Sequence, residues 1–301
     1  MKAAWIALCA SMLVCSGVQA YSNTLAQSVD STHSNETWTQ SQNPFRIYGN
    51  TYYVGSRGLS AILIASPEGH VLINSTLSEN VPMIEANIRA LGFRVEDIKL
   101  ILSSHTHFDH VGGTAALAHD SGAQVAASAK SAKALQLGGN DPDDPQYGTV
   151  QFYTKVNDVR IISDGQIVKV GSLHLQMHAM PGHMPGGTGW IWRSCEGQRC
   201  LSMVYADSVT LYSADGYRYN DPAHPERLAD FRRTLTTLVK LPCDILIVPH
   251  PTSDFFDKAA RIASGTSNPL IDTQACKAYA AEGQINLENR IRKEQGSQTA
   301  H

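Results

Sequence analysis

The sequence carries little net charge, no long apolar run after its first 20 residues, and none of the usual thiol or serine signatures of a reactive site. Lys and Arg number 24 against 27 Asp and Glu, a formal charge of −3. That balance is too mild to imply nucleic acid or another polyanion as a partner. Beyond residue 20 nothing is apolar for long enough to cross a bilayer as a helix, so no membrane partner is expected. No two cysteines form a Cys-x2-Cys pair, which argues against a cysteine-based zinc site. Ser-x-x-Lys is absent too, which removes one class of activated serine nucleophile.

The one apolar run stands at the start. "MKAAWIALCASMLVCSGVQA" places Lys2 before a short apolar stretch and ends it with Val18-Gln19-Ala20. Residues 1–20 therefore read as a secretory signal peptide cleaved after Ala20, and a periplasmic location follows. Loss of Lys2 takes the formal charge from −3 to −4. Cys9 and Cys15 leave with this leader, and Cys195, Cys200, Cys243 and Cys276 remain. An even number in an exported chain implies disulfides, with three connectivities open. The expected pairs are Cys195–Cys200, across the turn "CEGQRC", and Cys243–Cys276. Chain entropy gives at most about 2 kcal/mol for the short loop and about 4 kcal/mol for the long one. Residues 21–40, rich in Ser, Thr, Asn and Gln, read as a flexible arm that cannot bury enough surface to order itself. Residues 41–301 read as one domain.

Within that domain, strand signals alternate with helical ones. "RIYGNTYYV", "SAILIA", "HVLIN", "KLILSS" and "AQVAAS" are dense in β-branched and aromatic residues and predict strands. Val81, Ile84, Ile88 and Leu91 recur at spacings of three and four, which predicts a helix, and residues 112–119 predict another. The second half repeats the logic. "RIIS", "GQIVKV", "LHLQMHAM", "GWIWRS", "LSMVYA" and "DILIVPH" read as strands, with helices around Leu228–Leu238 and over residues 274–293. Two sheets packed face to face with helices outside would accommodate this order.

Three of the 12 histidines crowd into "HTHFDH", residues 105–110, directly after a buried strand. His105 and His107 are two apart, a spacing that turns both imidazoles one way if the strand continues. Asp109 and His110 open the following helix, and Gly112 and Gly113 let its backbone come close. Four ligand-type side chains thus converge at the carboxyl end of a strand, where open α/β sheets place their sites. A metal site of this kind needs further ligands from other strand ends. "MPGHMPGGTGW" supplies His183 and "IVPHP" supplies His250. His174 and His178 lie inside a strand and read as packing residues. His33, His70, His119, His224 and His301 stand in arm, turn or surface contexts.

"HTHFDH", "MPGHMPGGTGW", "YADSVT" and "IVPHP" together resemble the metallo-β-lactamase superfamily, most closely the class B enzymes of the third subclass. The similarity spans roughly residues 40–295 in order and spacing. It implies an α/β fold, the four-layer αββα sandwich, and a site at the edge of the two sheets that holds two zinc ions. Carried onto this chain, His105, His107 and His183 would hold the first zinc, and Asp109, His110 and His250 the second. Imidazole and carboxylate suit that ion without a thiolate. The implied reaction is zinc-dependent hydrolysis of the β-lactam amide bond in penicillins, cephalosporins and carbapenems, hence antibiotic resistance, with Asp109 also orienting the attacking hydroxide. Ser208 and Thr210 fall where the subclass clamps the substrate carboxylate, and Gln146 would line the cleft. A small-molecule substrate and a monomer complete the expectation.

Two positions depart from the pattern. Asn74 stands where the superfamily commonly has Asp, and Met184 replaces a threonine after the third histidine. The alternative within the fold is a glyoxalase-like thioesterase or lactonase, whose bridging aspartate would fall at Asp207. A periplasmic zinc-binding protein without catalysis is the reading from another class.

Overall fold

The computed structural model describes residues 36–296 apart from 263 and 266, together with Met1. The rest of the expected signal peptide, and the expected arm up to residue 35, lie outside the described residues. Strands β1 (Phe45–Tyr48), β2 (Thr51–Tyr53), β3 (Ile62–Ile64), β4 (His70–Ile73), β5 (Ile98–Leu102), β6 (Gln124–Ala127) and β7 (Val159–Ile161) form one sheet in that spatial order. The second sheet runs β12 (Ile245–Ile247), β11 (Arg199–Tyr205), β10 (Thr188–Glu196), β9 (Leu173–Ala179), β8 (Ile167–Val170). The helices are α1 (Val81–Ala90), α2 (Phe108–Val111), α3 (Thr114–Ser121), α4 (Ala129–Leu137), α5 (Glu226–Lys240), α6 (Ser253–Ile262) and α7 (Ala275–Gly296).

Period-two alternation sorts the strand residues into layers. In β3, β4 and β5 the residues Ile62, Ile64, Val71, Ile73, Leu100 and Leu102 enter a core shared with Leu175, Trp190 and Met203 of the other sheet. Their neighbours Leu63, Leu72 and Ile101 turn the other way and meet Ile84 and Ile88 of α1 and Leu117 of α3. On β11, Met203 and Tyr205 face inward while Val204 packs with Phe231 and Leu235 of α5 and Leu287 of α7. Strands buried on both faces need a covering layer on each side. The result is helices, sheet, sheet, helices, the αββα sandwich that the motifs implied.

Local differences from the expected elements have local causes. "RIYGNTYYV" is a hairpin, β1 and β2, rather than one strand, because Gly49 turns at φ +52. The helix expected at 112–119 lies at 114–121, and residues 108–111 make a separate turn of helix before it. Helix α4 was not anticipated, although Ser128 caps it by accepting the Ser131 N–H at 3.2 Å. Residues 36–40 fall in the segment read as a flexible arm, yet they pack on the body of the protein. The Trp38 carbonyl accepts from Asn80 Nδ2 at 2.8 Å, and the Trp38 ring lies 5.5 Å from that of His250.

Both expected cysteine pairs are joined. Cys195–Cys200 closes the β10–β11 hairpin, and Cys243–Cys276 ties the turn before β12 to the first turn of α7. Two bonds stitch the sheets together beside the histidine cluster. The Thr188 N–H donates to the Ser104 carbonyl at 2.7 Å, and Trp190 Nε1 donates to the Ser103 carbonyl at 2.9 Å.

Leu175 is fully buried between the sheets. Leu175→Ala should cost about 2–5 kcal/mol in urea unfolding, by lost transfer energy plus a cavity. A cost below about 1 kcal/mol would show that this core collapses around the gap.

Candidate active site

Strand β5 ends at Leu102 and does not continue to the histidines, so His105 and His107 lie on the turn into α2 and strand alternation does not align them. Their convergence comes from that turn. Asn74, at φ +62, donates its N–H to the Leu102 carbonyl at 2.8 Å, and its Oδ1 accepts the Ser104 N–H at 2.8 Å. Asparagine tolerates this left-handed backbone better than most residues. Glycine is required just after α2: a Cβ on Gly112 would sit 2.5 Å from the Phe108 carbonyl oxygen and 2.9 Å from the Ser78 nitrogen.

His105, His107 and His183 form one group of side chains able to hold a metal, all buried. His107 Nδ1 and His183 Nε2 come within 3.2 Å. The far nitrogen of each ring has its own acceptor. His105 Nδ1 is 2.7 Å from Asp207 Oδ1, and His107 Nε2 is 3.2 Å from Asp144 Oδ1. His183 Nδ1 is 3.0 Å from the Thr210 carbonyl and 3.1 Å from its hydroxyl. Each acceptor holds the hydrogen on the outer nitrogen and leaves a lone pair facing inward, the arrangement of a metal-bound imidazole. His105 Nε2 is buried with no hydrogen-bond partner. Buried polar atoms seldom lack a partner, and a cation at this point would supply one.

A second group adjoins the first: His105, Asp109 and His110. Asp109 Oδ2 is 3.2 Å from His110 Nε2 and 3.4 Å from His250 Nε2, and the two imidazole nitrogens are 3.1 Å apart. The ring centres of His105 and His110 are only 4.2 Å apart, so the two groups share one cleft. The His250 side chain is 42% exposed while the others are buried, which puts the mouth of the cleft on its side. Burial alone would raise the Asp109 carboxyl. The adjacent His110, which hydrogen-bonds it, together with His250 and His107, outweighs burial and holds it well below the ordinary carboxylate range. It is ionised at neutral pH, as a metal ligand must be. The donor set of five imidazoles and one carboxylate, without thiolate, fits zinc.

The glycines of "PGHMPGGTGW" let this loop press onto its supports. A Cβ on Gly187 would lie 2.3 Å from Asp207 Oδ2, and one on Gly186 would lie 2.4 Å from Ser131 Oγ. The profile of the metallo-β-lactamase superfamily matches residues 55–201. Among solved structures the chain is similar to the Rm3 metallo-β-lactamase: 49% identity over 86% of this chain and 97% of that one, with a TM-score of 0.83. It is also similar to MEM-A1, a subclass B3 metallo-β-lactamase from a soil metagenome library, at 45% identity, 86% and 99% coverage and a TM-score of 0.83. MIM-1 from Novosphingobium pentaromativorans matches at 40% identity, 91% and 98% coverage and a TM-score of 0.82.

The chain belongs to the metallo-β-lactamase superfamily. Within it, the chain groups with the subclass B3 enzymes. The metallo-β-lactamase fold brings the six residues singled out in the sequence to one place. Of the other candidates, Thr210 sits behind His183. Gln146 Nε2 is 3.5 Å from His107 Nε2, and Ser208 is buried beside Asp207. Asp207 stands behind His105 and belongs to neither metal-holding group. Met184 is buried, with its sulfur 3.7 Å from the Thr106 hydroxyl. Sequence reasoning missed Asp144, Tyr205 and Ser60. Asp144 lies in the turn "DPDDPQYG", where only tertiary contact separates it from Asp141 and Asp143.

Without metal, burial and then the neighbouring imidazoles push His105 well down and His183 down to about 3. An unfolded chain protonates both below about pH 6.5 while the folded one does not, so their contribution to stability falls as pH falls through that value. Asp207, pushed up by burial, acts in the opposite sense, one group against two. The melting temperature of chelator-treated protein should therefore be lower at pH 5 than at pH 7. A flat or rising trend toward acid would contradict these protonation states.

Proposed function

We propose that this enzyme hydrolyses the amide bond of β-lactam antibiotics, penicillins, cephalosporins and carbapenems, at a centre of two zinc ions, and that it does so as a monomer exported to the periplasm. The observation that carries the reading is the pair of adjoining ligand groups in one cleft, within a chain 49% identical to a metallo-β-lactamase. When bound, zinc supplies Lewis acidity and brings water toward a pKa of about 7, which makes a nucleophile available at neutral pH.

The chain's own residues do the rest. Asp207, Asp144 and the Thr210 carbonyl hold three imidazoles in the ligating tautomer. The ionised Asp109 carboxylate accepts a hydrogen bond from the attacking water and aims it. Thr210 accepts from His183 Nδ1 with its oxygen, which leaves its hydroxyl hydrogen to donate to the substrate carboxylate. Ser208 supports that clamp, and Gln146 lines the cleft beside His107. Because the charged carboxylate is held alike before and during reaction, these contacts lower KM more than they raise kcat.

A chromogenic cephalosporin assay, run beside a thioester and a lactone, tests the reaction. Expected are fast cephalosporin hydrolysis, close to two zinc ions per chain by metal analysis, and loss of activity with a chelator. Thioester or lactone turnover alone would favour the glyoxalase-like alternative, and at most one ion under zinc-replete conditions would remove the two-metal centre.

Asp109→Asn keeps the size and loses the charge. It should lower kcat on the order of 100-fold or more, the scale of losing one preorganised electrostatic contact. Circular dichroism should stay unchanged. Full activity would show that Asp109 has neither role.

A further inference from the structure

A buried hydrogen-bond chain behind the second ligand group has only one consistent direction. Ser60 Oγ lies 2.9 Å from the Val248 carbonyl, which can only accept, so the Ser60 hydrogen goes there. Ser60 Oγ is also 2.6 Å from the Tyr205 hydroxyl, and with its own hydrogen committed it must accept the tyrosine's. The Tyr205 oxygen in turn accepts from Asn74 Nδ2 at 2.8 Å. The other end of the amide agrees, because Asn74 Oδ1 accepts the Ser104 N–H at 2.8 Å. Two independent partners thus fix which end of the Asn74 amide is nitrogen.

That nitrogen also faces His110. Asn74 Nδ2 stands 3.5 Å from His110 Nδ1, farther than from Tyr205 Oη at 2.8 Å or Ser104 Oγ at 3.2 Å, and an amide nitrogen gives that ring nitrogen no acceptor. On the far side of the ring, His110 Nε2 is 3.2 Å from Asp109 Oδ2. Both sides suit the tautomer with hydrogen on Nε2: Nδ1 faces no acceptor, while Nε2 can donate to Asp109 Oδ2 or to His250 Nε2 at 3.1 Å. A metal bound at Nε2 requires the opposite tautomer, with hydrogen on Nδ1 pointing at an amide nitrogen that cannot accept it. The other ligand-type histidines have acceptors behind them. Those are Asp207 for His105, Asp144 for His107, the Thr210 carbonyl for His183, and the Gly58 backbone for His250.

We propose that Asn74 is a positioning residue that makes the second metal subsite the weaker one, by holding His110 in the tautomer that cannot ligate. The first ion then loads on an already prepared set of imidazoles, and the second must drive a tautomer change that leaves the His110 Nδ1 hydrogen without an acceptor. This rests on the two-ion reading above. A carboxylate at position 74 would reverse the effect, since one oxygen could keep the Ser104 N–H while the other accepts from His110 Nδ1. Aspartate also tolerates the backbone there.

The test is zinc titration of metal-free protein against a chromophoric competitor, for the unmodified chain and for Asn74→Asp. The unmodified chain should bind its second ion at least about ten-fold more weakly than its first. In Asn74→Asp the second constant should tighten roughly 10- to 100-fold, the range of outer-shell effects, with the first almost unchanged. An unchanged second constant, or an equal shift in both, overturns the proposal and leaves the two-ion centre standing. Failure of either protein to bind a second ion removes the two-ion reading and the proposal with it. A second readout needs no variant: long-range proton–nitrogen correlation on nitrogen-15-labelled metal-free protein. It should place the hydrogen of His110 on Nε2 and that of His183 on Nδ1. Hydrogen on His110 Nδ1 overturns the proposal even if Asn74→Asp fails to fold.

Discussion

An imidazole can offer a lone pair to a metal only if its other nitrogen keeps the hydrogen, and that hydrogen needs an acceptor when the ring is buried. Much of this structure meets that demand. Asp207 comes from the end of the second sheet, Asp144 from the long connection after α4, and the Thr210 carbonyl from the loop after β11. Each element carries an acceptor to one ring. Where the acceptor is missing, behind His110, the same rule gives the site its asymmetry. Orphaned atoms mark the remaining cost: among the described residues, only His105 Nε2 and Asp207 Oδ2 are buried side-chain atoms without a partner, and both belong to this site.

Convergence of those elements depends on the seam between the sheets. Ser103 and Ser104 leave β5 with their carbonyls turned toward the second sheet, where Thr188 and Trp190 donate to them. That seam sets the position of the first histidines relative to the loop bearing His183. The Ser60–Tyr205–Asn74 chain forms a second seam, joining the carbonyl of Val248, close to His250, to the turn that presents His105. Both seams bury polar atoms that bond only in the assembled sandwich, so the site forms with the fold rather than on it.

Helix α7 supports the wall around Ser208 and Thr210 from outside. The Tyr279 hydroxyl meets the Asp207 carbonyl, and Asn286 meets that of Val209. Farther along, Arg290 reaches the carbonyls of Leu211 and Tyr217, while the buried Glu294 accepts the N–H groups of Tyr219 and Asn220. The Cys243–Cys276 bridge fixes the start of this helix to the second sheet. A loop whose backbone serves as a histidine's acceptor cannot drift without loosening that histidine, which explains so many ties on one segment.

By itself the sequence determined what chemistry the chain can hold. "HTHFDH", His183 and His250 are ligand types at strand ends, and the near-continuous apolar runs in "SAILIA" and "KLILSS" mark strands buried on both faces. Those features depend on local order, so spacing reveals them. Only the tertiary structure decided which carboxylates serve the site. Asp144 and Asp207 lie 37 and 102 residues from the histidines they contact, nothing local sets Asp144 apart from Asp141 or Asp143, and the place of Asp207 behind His105 rather than between two metals follows only from the fold. The meaning of Asn74 was likewise invisible. Its departure from the family pattern could be read directly, but the direction of its amide follows from Ser104, Tyr205, Ser60 and Val248, which meet only after both sheets have closed. Hydrogen-bond direction is a property of a closed network, and a linear sequence contains none.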